Sequence, residues 1–188
     1  MSDNELTPDL IAFMREQKDR FEIQQCLLRY TRGIDRFDKG LMQSAYHHDA
    51  YDEHGVAEGG PENFCAWAMN FHDNAQHSHH HIITNSTVEL DGDTAHGETY
   101  YLFVGDNREG APTLSYGRYI DRFEKRDGQW AIAHRVCVIE YSGFFEMTRV
   151  PPEARARIQV GPSTRDARDV SYQRPLQRAA KTSDVQAA

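Results

Sequence analysis

The chain has 188 residues, 39% of them hydrophobic, which is enough for one domain with its own core and too few to suggest two. Its 21 basic and 29 acidic residues leave a formal charge of −8, which argues against a surface built for phosphate backbones, so nucleic acid is not an expected partner. No apolar run reaches the ~18 residues of a membrane span, and the opening MSDNELTPDLIAFMREQKDR lacks the apolar stretch of a signal peptide, so a cytoplasmic protein without membrane contact is expected.

Thr7-Pro8-Asp9 reads as a helix cap followed by a first-turn proline, and Ile23, Leu27, Tyr30 and Ile34 recur at helical spacing. The pattern predicts one or two helices over roughly the first 45 residues. Ala50 to His54 reads as a short strand. After the Gly59-Gly60-Pro61 breaker, Phe64, Trp67, Ala68 and Phe71 mark a second helical stretch. From His79 the period becomes alternating, and turn clusters at Asp91-Gly92-Asp93, Asp106 to Pro112 and Arg126-Asp127-Gly128 divide the rest into four strands joined as a meander. Helices first and an antiparallel sheet afterwards predict an α+β domain, with a cone-shaped curved sheet packed against the N-terminal helices around a pocket. The domain is expected to span 1–149. The Arg-, Pro- and Ala-rich stretch 150–188 is expected to be a tail along the surface or a neighbouring subunit, with its last residues disordered.

Cys26, Cys65 and Cys137 are widely spaced with no C-x-x-C pair, so they read as buried free thiols. Asp35 falls at the end of the first long helix. It is either an inward carboxylate that needs a partner or a solvent-exposed terminus beside Arg36 and Asp38. In the HSHHH run, His79-x-His81 could supply two metal ligands from one strand face, but Asn85 stands where a third, carboxylate ligand would be wanted. No metal is therefore expected. His81 reads as a lone functional imidazole sharing its face with Ile83, Asn85 and Thr87, whereas His77 and His79 suit a solvated edge. Arg135, between the small residues Ala133 and Cys137, either reaches into a cavity to stabilise negative charge or pairs with a carboxylate such as Asp121 or Glu140. Asp52 and His54 share a strand face, as polar support for a site or as an exposed edge. Tyr30, Trp67, Tyr101, Phe103 and Tyr116 could line a pocket.

The segments RYTRGIDRFDKGLMQSAYHHDAYDEHG, HHHIITNSTVELDGDTAHGETYYL and YIDRFEKRDGQWAIAHR resemble the SnoaL-like branch of the nuclear transport factor 2-like superfamily over about residues 18 to 145. That superfamily includes dehydratases, dehydrochlorinases, ketosteroid isomerases and polyketide cyclases on a cystatin-like α+β barrel. The resemblance implies that Asp35 and His81 form a catalytic dyad, that Tyr30 polarises substrate and that Arg135 helps the leaving group depart. Substrate contacts are expected from His54, Asn85, Trp67, Tyr101 and Tyr116. A cofactor-independent lyase is implied, probing a small aromatic or alicyclic substrate by proton abstraction and elimination, with dehydration first and deformylation as a variant. A ketosteroid-isomerase-like or cyclase-like enzyme and a non-catalytic binding module are the alternatives. Relatives assemble, so a homodimer or homotrimer is expected.

Overall fold

The computed structural model describes residues 6–146, 148–158 and 161–177. The chain divides into two compact units, Met1–Glu146 and Met147–Ala188.

The first unit opens with helix α1, Pro8–Asp35. The Thr7 side chain accepts from the Leu10 N–H at 3.3 Å, and proline occupies the first turn, where its missing N–H costs nothing. Only the second half of α1 is buried, through Ile23, Cys26, Leu27, Tyr30, Thr31, Gly33, Ile34 and Asp35. Each large apolar side chain there contributes about 1.5–3 kcal/mol. Helix α2, Lys39–Gln43, is capped by Asp38, which accepts from the Leu41 N–H at 2.9 Å. The two helices touch at Gly33, where an added Cβ would lie 2.4 Å from the Met42 nitrogen. Absence of a side chain at Gly33 therefore lets α2 fold back tightly against α1 just after Asp35.

Strand β1 (Tyr46–Glu53), the two-residue β2 (Glu58–Gly59) and helix α3 (Pro61–Ala75) follow, then β3 (Gln76–Asp91), β4 (Thr94–Asn107), β5 (Thr113–Arg126) and β6 (Gln129–Phe144). The strands form one curved, unclosed sheet in the order β2-β1-β6-β5-β4-β3. The four-strand meander is antiparallel, and β1 joins it parallel to β6, with Asp52 opposite Arg135. This is the expected α+β architecture, extended by β2 and by a longer β1 than Ala50 to His54. The inner face, carrying Tyr101, Phe103, Tyr119, Phe123, Trp130 and Ile132, packs with α1 and α3 as a single core.

Two bulges reset the alternation. Between Ile83 and Ser86, two residues of β3, Thr84 and Asn85, oppose one of β4, Tyr100, so the face running through His81 and Ile83 continues through Ser86 and Val88. A second shift on β6 puts Arg135 and Cys137 on the face of Trp130 and Ile132.

The second unit contains helix α4, Pro152–Ile158, and a 3-10 turn at Val170–Tyr172 capped by the Asp169 side chain. The expected disorder of the final residues falls on 178–188, outside the described residues. Among the described residues no helix is long and apolar enough to cross a membrane.

Candidate active site

A cavity of about 250 Å³ opens between α3 and the inner face of the sheet, and its walls include His54, Trp67, Phe71, His81, Tyr101, Phe103, Tyr119 and Cys137. A larger cleft of about 660 Å³ beside Arg29, His47 and Arg126 is lined by neither Asp35, His81, Asp52 nor His54.

Asp35 and His81 meet at the cavity wall. The last turn of α1 aims the carboxylate at β3, where Oδ1 lies 2.8 Å from His81 Nδ1. The main-chain N–H of His81 also reaches both carboxylate oxygens at 3.1 Å. An oxygen that can only accept requires the proton on Nδ1, which leaves Nε2 with its lone pair. Nε2 has no hydrogen-bond partner among the described residues. The inward alternative for Asp35 is therefore the one the fold adopts: the residue is 8% exposed.

His79 is 2% exposed rather than part of a solvated edge, because α3 covers the start of β3. Its Nε2 lies 3.2 Å from the Ile34 carbonyl, and its ring stacks on His72 with centroids 4.2 Å apart. Asp35, His79 and His81 each place a potential metal-ligating atom within 4.8 Å of the others. Their hydrogen bonds fit a proton network: a carbonyl next to His79 Nε2 calls for an N–H there, and Asp35 is engaged by His81.

Arg135 does not reach the cavity. It is wholly buried, with Nε and Nη2 donating to the two oxygens of Asp121 at 2.7 and 2.8 Å. The Tyr30 and Tyr119 rings flank the guanidinium at 4.4 and 4.2 Å. The fork is thus fixed by a bidentate partner on the adjacent strand and lies behind the Tyr119 ring. Burial pushes the Asp121 carboxyl up against the opposing pull of Arg135; burial also works against the Arg135 charge, but Asp121 together with Tyr46 and Tyr30 outweighs it and holds the Arg135 pKa well above its usual value.

Tyr30 is also buried beneath the wall, edge-on to the His81 ring with centroids 6.4 Å apart. Burial pushes its hydroxyl well above the usual range. Asn85 is exposed because the β3 bulge moves it off the His81 face, and Tyr116 projects from the outer face, stacked on Tyr141 at 5.2 Å. Neither lines the cavity, whereas His54, Trp67 and Tyr101 do. Phe64, Trp67 and Phe71 stack along α3, with His54 lying on Phe64 at 4.6 Å.

Asp52 is buried polar support beneath His54 rather than an exposed edge. It is fully buried, accepts from the Tyr46 hydroxyl at 2.5 Å and pairs with His54 Nδ1. Sequence reasoning missed Tyr46. Its one signal is that it shares the inward strand face of Asp52 and His54, six and eight residues further on.

An open curved sheet over helices with a cavity between them defines an α+β small-molecule-pocket fold, and the family follows from comparison. The chain belongs to the SnoaL-like domain family, which it matches over residues 15–136. An uncharacterized protein of Mycobacterium tuberculosis is 31% identical over 131 residues, covering 64% of this chain and 85% of its own. Hexachlorocyclohexane dehydrochlorinase (LinA) Type2 superposes with a TM-score of 0.68 at 25% identity, covering 74% of this chain and 97% of its own. A scytalone dehydratase-like protein of Novosphingobium aromaticivorans shares the fold, with a TM-score of 0.63 at 15% identity over 73% of this chain and 94% of its own.

Proposed function

We propose that the protein is a cofactor-independent lyase that removes a proton and a leaving group from a small aromatic or alicyclic molecule. The observation that carries this reading is the Asp35–His81 pair at the wall of an aromatic-lined cavity, with His81 Nε2 left to take a proton. In this reading Asp35 orients His81 and stabilises the imidazolium formed after proton abstraction. The electron pair of the broken C–H bond forms a double bond as the leaving group departs. Trp67, Tyr101 and Phe103 hold a flat substrate against the base, and Tyr30 and Arg135 hold the pocket's shape from behind. The likeness to a dehydrochlorinase supports elimination.

The test is a screen of small aromatic and alicyclic alcohols and diols with mass-spectrometric product detection, run on the wild-type protein and on His81→Ala. Products lighter by one water that vanish with His81→Ala are expected. Loss of formaldehyde, isomerisation or cyclisation would keep the base and change the reaction. Tight ligand binding without turnover would identify a binding module.

The protein is further proposed to assemble with copies of itself. Ile82, Leu102, Tyr116 and Tyr141 lie directly opposite one another on four successive strands of the outer sheet face, and Ile82, Tyr116 and Tyr141 are exposed. A contiguous apolar row of this kind suits a self-complementary contact.

A further inference from the structure

At the cavity wall a thiol, an imidazole and a buried carboxylate are linked by hydrogen bonds. We infer that Cys137 is a nucleophile, with His54 as its base and Asp52 as the group that orients His54, and that the cavity binds flat α,β-unsaturated carbonyl compounds by reversible addition to the sulfur. This covalent site uses neither Asp35 nor His81 and goes beyond the elimination reading.

Asp52 is fully buried where β1 meets β6, and an isolated carboxylate there would be costly. Arg135, its neighbour in register, is already bound through both carboxylate oxygens of Asp121. Asp52 instead accepts from the Tyr46 hydroxyl at Oδ2 and from His54 Nδ1 at Oδ1. An oxygen that can only accept requires the proton on Nδ1, which leaves Nε2 for the second side-chain hydrogen bond of the ring, to Cys137. The sulfur also lies 3.7 Å from the Tyr101 hydroxyl, which burial keeps protonated. The titratable groups that face the imidazole are Asp52 and Tyr46 from β1, Tyr119 and Asp121 from β5, Arg135 and Cys137 from β6, and, beyond Asp52, Cys65 from α3. Burial lowers the His54 pKa, but the hydrogen bonds to Asp52 and Cys137 outweigh it and lift the value to about 9. An imidazole with that hold on a proton draws it from the thiol beside it. Cys137 is half-buried and lines the cavity, whereas Cys26 and Cys65 are fully buried, and burial pushes their thiols up to about 11 and about 12.

The sulfur attacks the β carbon of the unsaturated carbonyl and forms the S–C bond, while the S–H proton passes to His54 Nε2. The electron pair of the C=C bond moves toward the carbonyl oxygen as an enolate, and the α carbon then takes the proton back from His54. Asp52 stabilises the imidazolium between the two proton transfers. Thiol and alkene thus become a thioether without an oxidant or a leaving group, and the reverse sequence releases the acceptor unchanged. A soft, polarizable sulfur suits an electron-poor carbon. Trp67, Phe103 and Tyr119 give the cavity the flat apolar walls that a conjugated molecule fits.

The probes are benzylideneacetone, a flat unsaturated ketone, and iodoacetamide, which alkylates thiols irreversibly. Intact-mass spectrometry of the full chain with benzylideneacetone should show a gain of one probe molecule that is lost again on dilution. Peptide mapping after iodoacetamide should place the label on Cys137, and Cys137→Ser should take up neither probe. His54→Gln should slow iodoacetamide labelling of Cys137 by about tenfold or more at pH 7, where an unassisted thiol with a pKa near 8.5 is only a few per cent ionised. That gap should close as the pH rises to about 9.5, which loss of a merely structural contact would not produce. If His54→Gln fails to fold, the wild-type profile decides: its labelling rate should change by less than about threefold between pH 7 and 9, whereas that of a free thiol climbs more than about tenfold. No adduct on Cys137, equal labelling of wild type and His54→Gln at pH 7, or a wild-type rate that climbs like a free thiol's would overturn the inference. Labelling needs no turnover, so its failure would leave the elimination reading standing, and failure of that reading in the substrate screen would leave the thiol site standing.

Discussion

His81 gives Asp35 two hydrogen-bond donors, its ring Nδ1–H at 2.8 Å and its main-chain N–H at 3.1 Å. The carboxylate is thus tied to the strand as well as to the ring, and Asp35 can orient the imidazole without itself meeting substrate. The two residues should therefore behave as one unit. Asp35→Asn and His81→Ala are each expected to cost on the order of 10²–10⁴ in rate, and the double variant little more than the worse single one. Steady-state kinetics on a substrate found by the screen decide this, after circular dichroism shows each variant folded. Additive losses would mean that Asp35 has a role apart from His81.

Arg135 and Asp121 are expected to matter for stability first. Arg135→Met leaves a buried carboxylate without its counter-ion, a change that typically costs about 3–5 kcal/mol. In a chain of this size that corresponds to a Tm lower by on the order of 10 °C. The double variant Arg135→Met/Asp121→Leu should recover most of the loss, since a well-packed apolar pair avoids desolvating either charge. A thermal melt of Arg135→Met matching the wild type, with activity gone, would restore the direct catalytic role.

The helix caps, the breaker before α3, the turn clusters and the meander were legible in the sequence because each depends on local residue chemistry. The meeting of Asp35 with His81 followed from resemblance to a family, since no local pattern joins residues 46 positions apart. Strict alternation misplaced Asn85 because a bulge leaves no clear residue signature: one extra residue between Ile83 and Ser86 moves every later side chain to the other face. The sequence does not decide between the two places for the Arg135 side chain for a related reason. Its immediate neighbours are small, and only the register that puts Asp121 opposite it shows where the guanidinium goes.

The outer-face row from Ile82 to Tyr141 predicts a dimer or trimer by sedimentation at micromolar concentration. Tyr116→Glu should shift the population toward monomer, because it places a charge at the centre of the row while leaving the cavity wall untouched. A monomeric wild-type protein would overturn this.

Treatment with a chelator is expected to leave turnover unchanged, since His81 Nδ1 and Asp35 Oδ1 are engaged with each other and His79 Nε2 with the Ile34 carbonyl. Metal analysis of the purified protein provides the check. Stoichiometric zinc or iron lost together with activity would replace the dyad with a metal centre built from the same three residues.

The Asp52–His54 pair also predicts how stability depends on pH. The folded His54 pKa of about 9 lies above the ordinary 6.5, so the folded state holds its proton more tightly than the unfolded chain. The resulting stabilisation is fully present below about pH 6.5 and is lost as the pH rises through about 9. Its size is at most roughly 3.4 kcal/mol, from a shift of about 2.5 at about 1.36 kcal/mol per pKa unit. Buried Cys26 and Cys65, raised to about 11 and about 12 from 9.0, lose their contributions at higher pH, so the two windows separate. Urea midpoints measured across this range should fall between about pH 6.5 and 9 in the wild type and change much less in Asp52→Asn. Equal slopes in the two proteins would show that Asp52 does not hold the His54 proton.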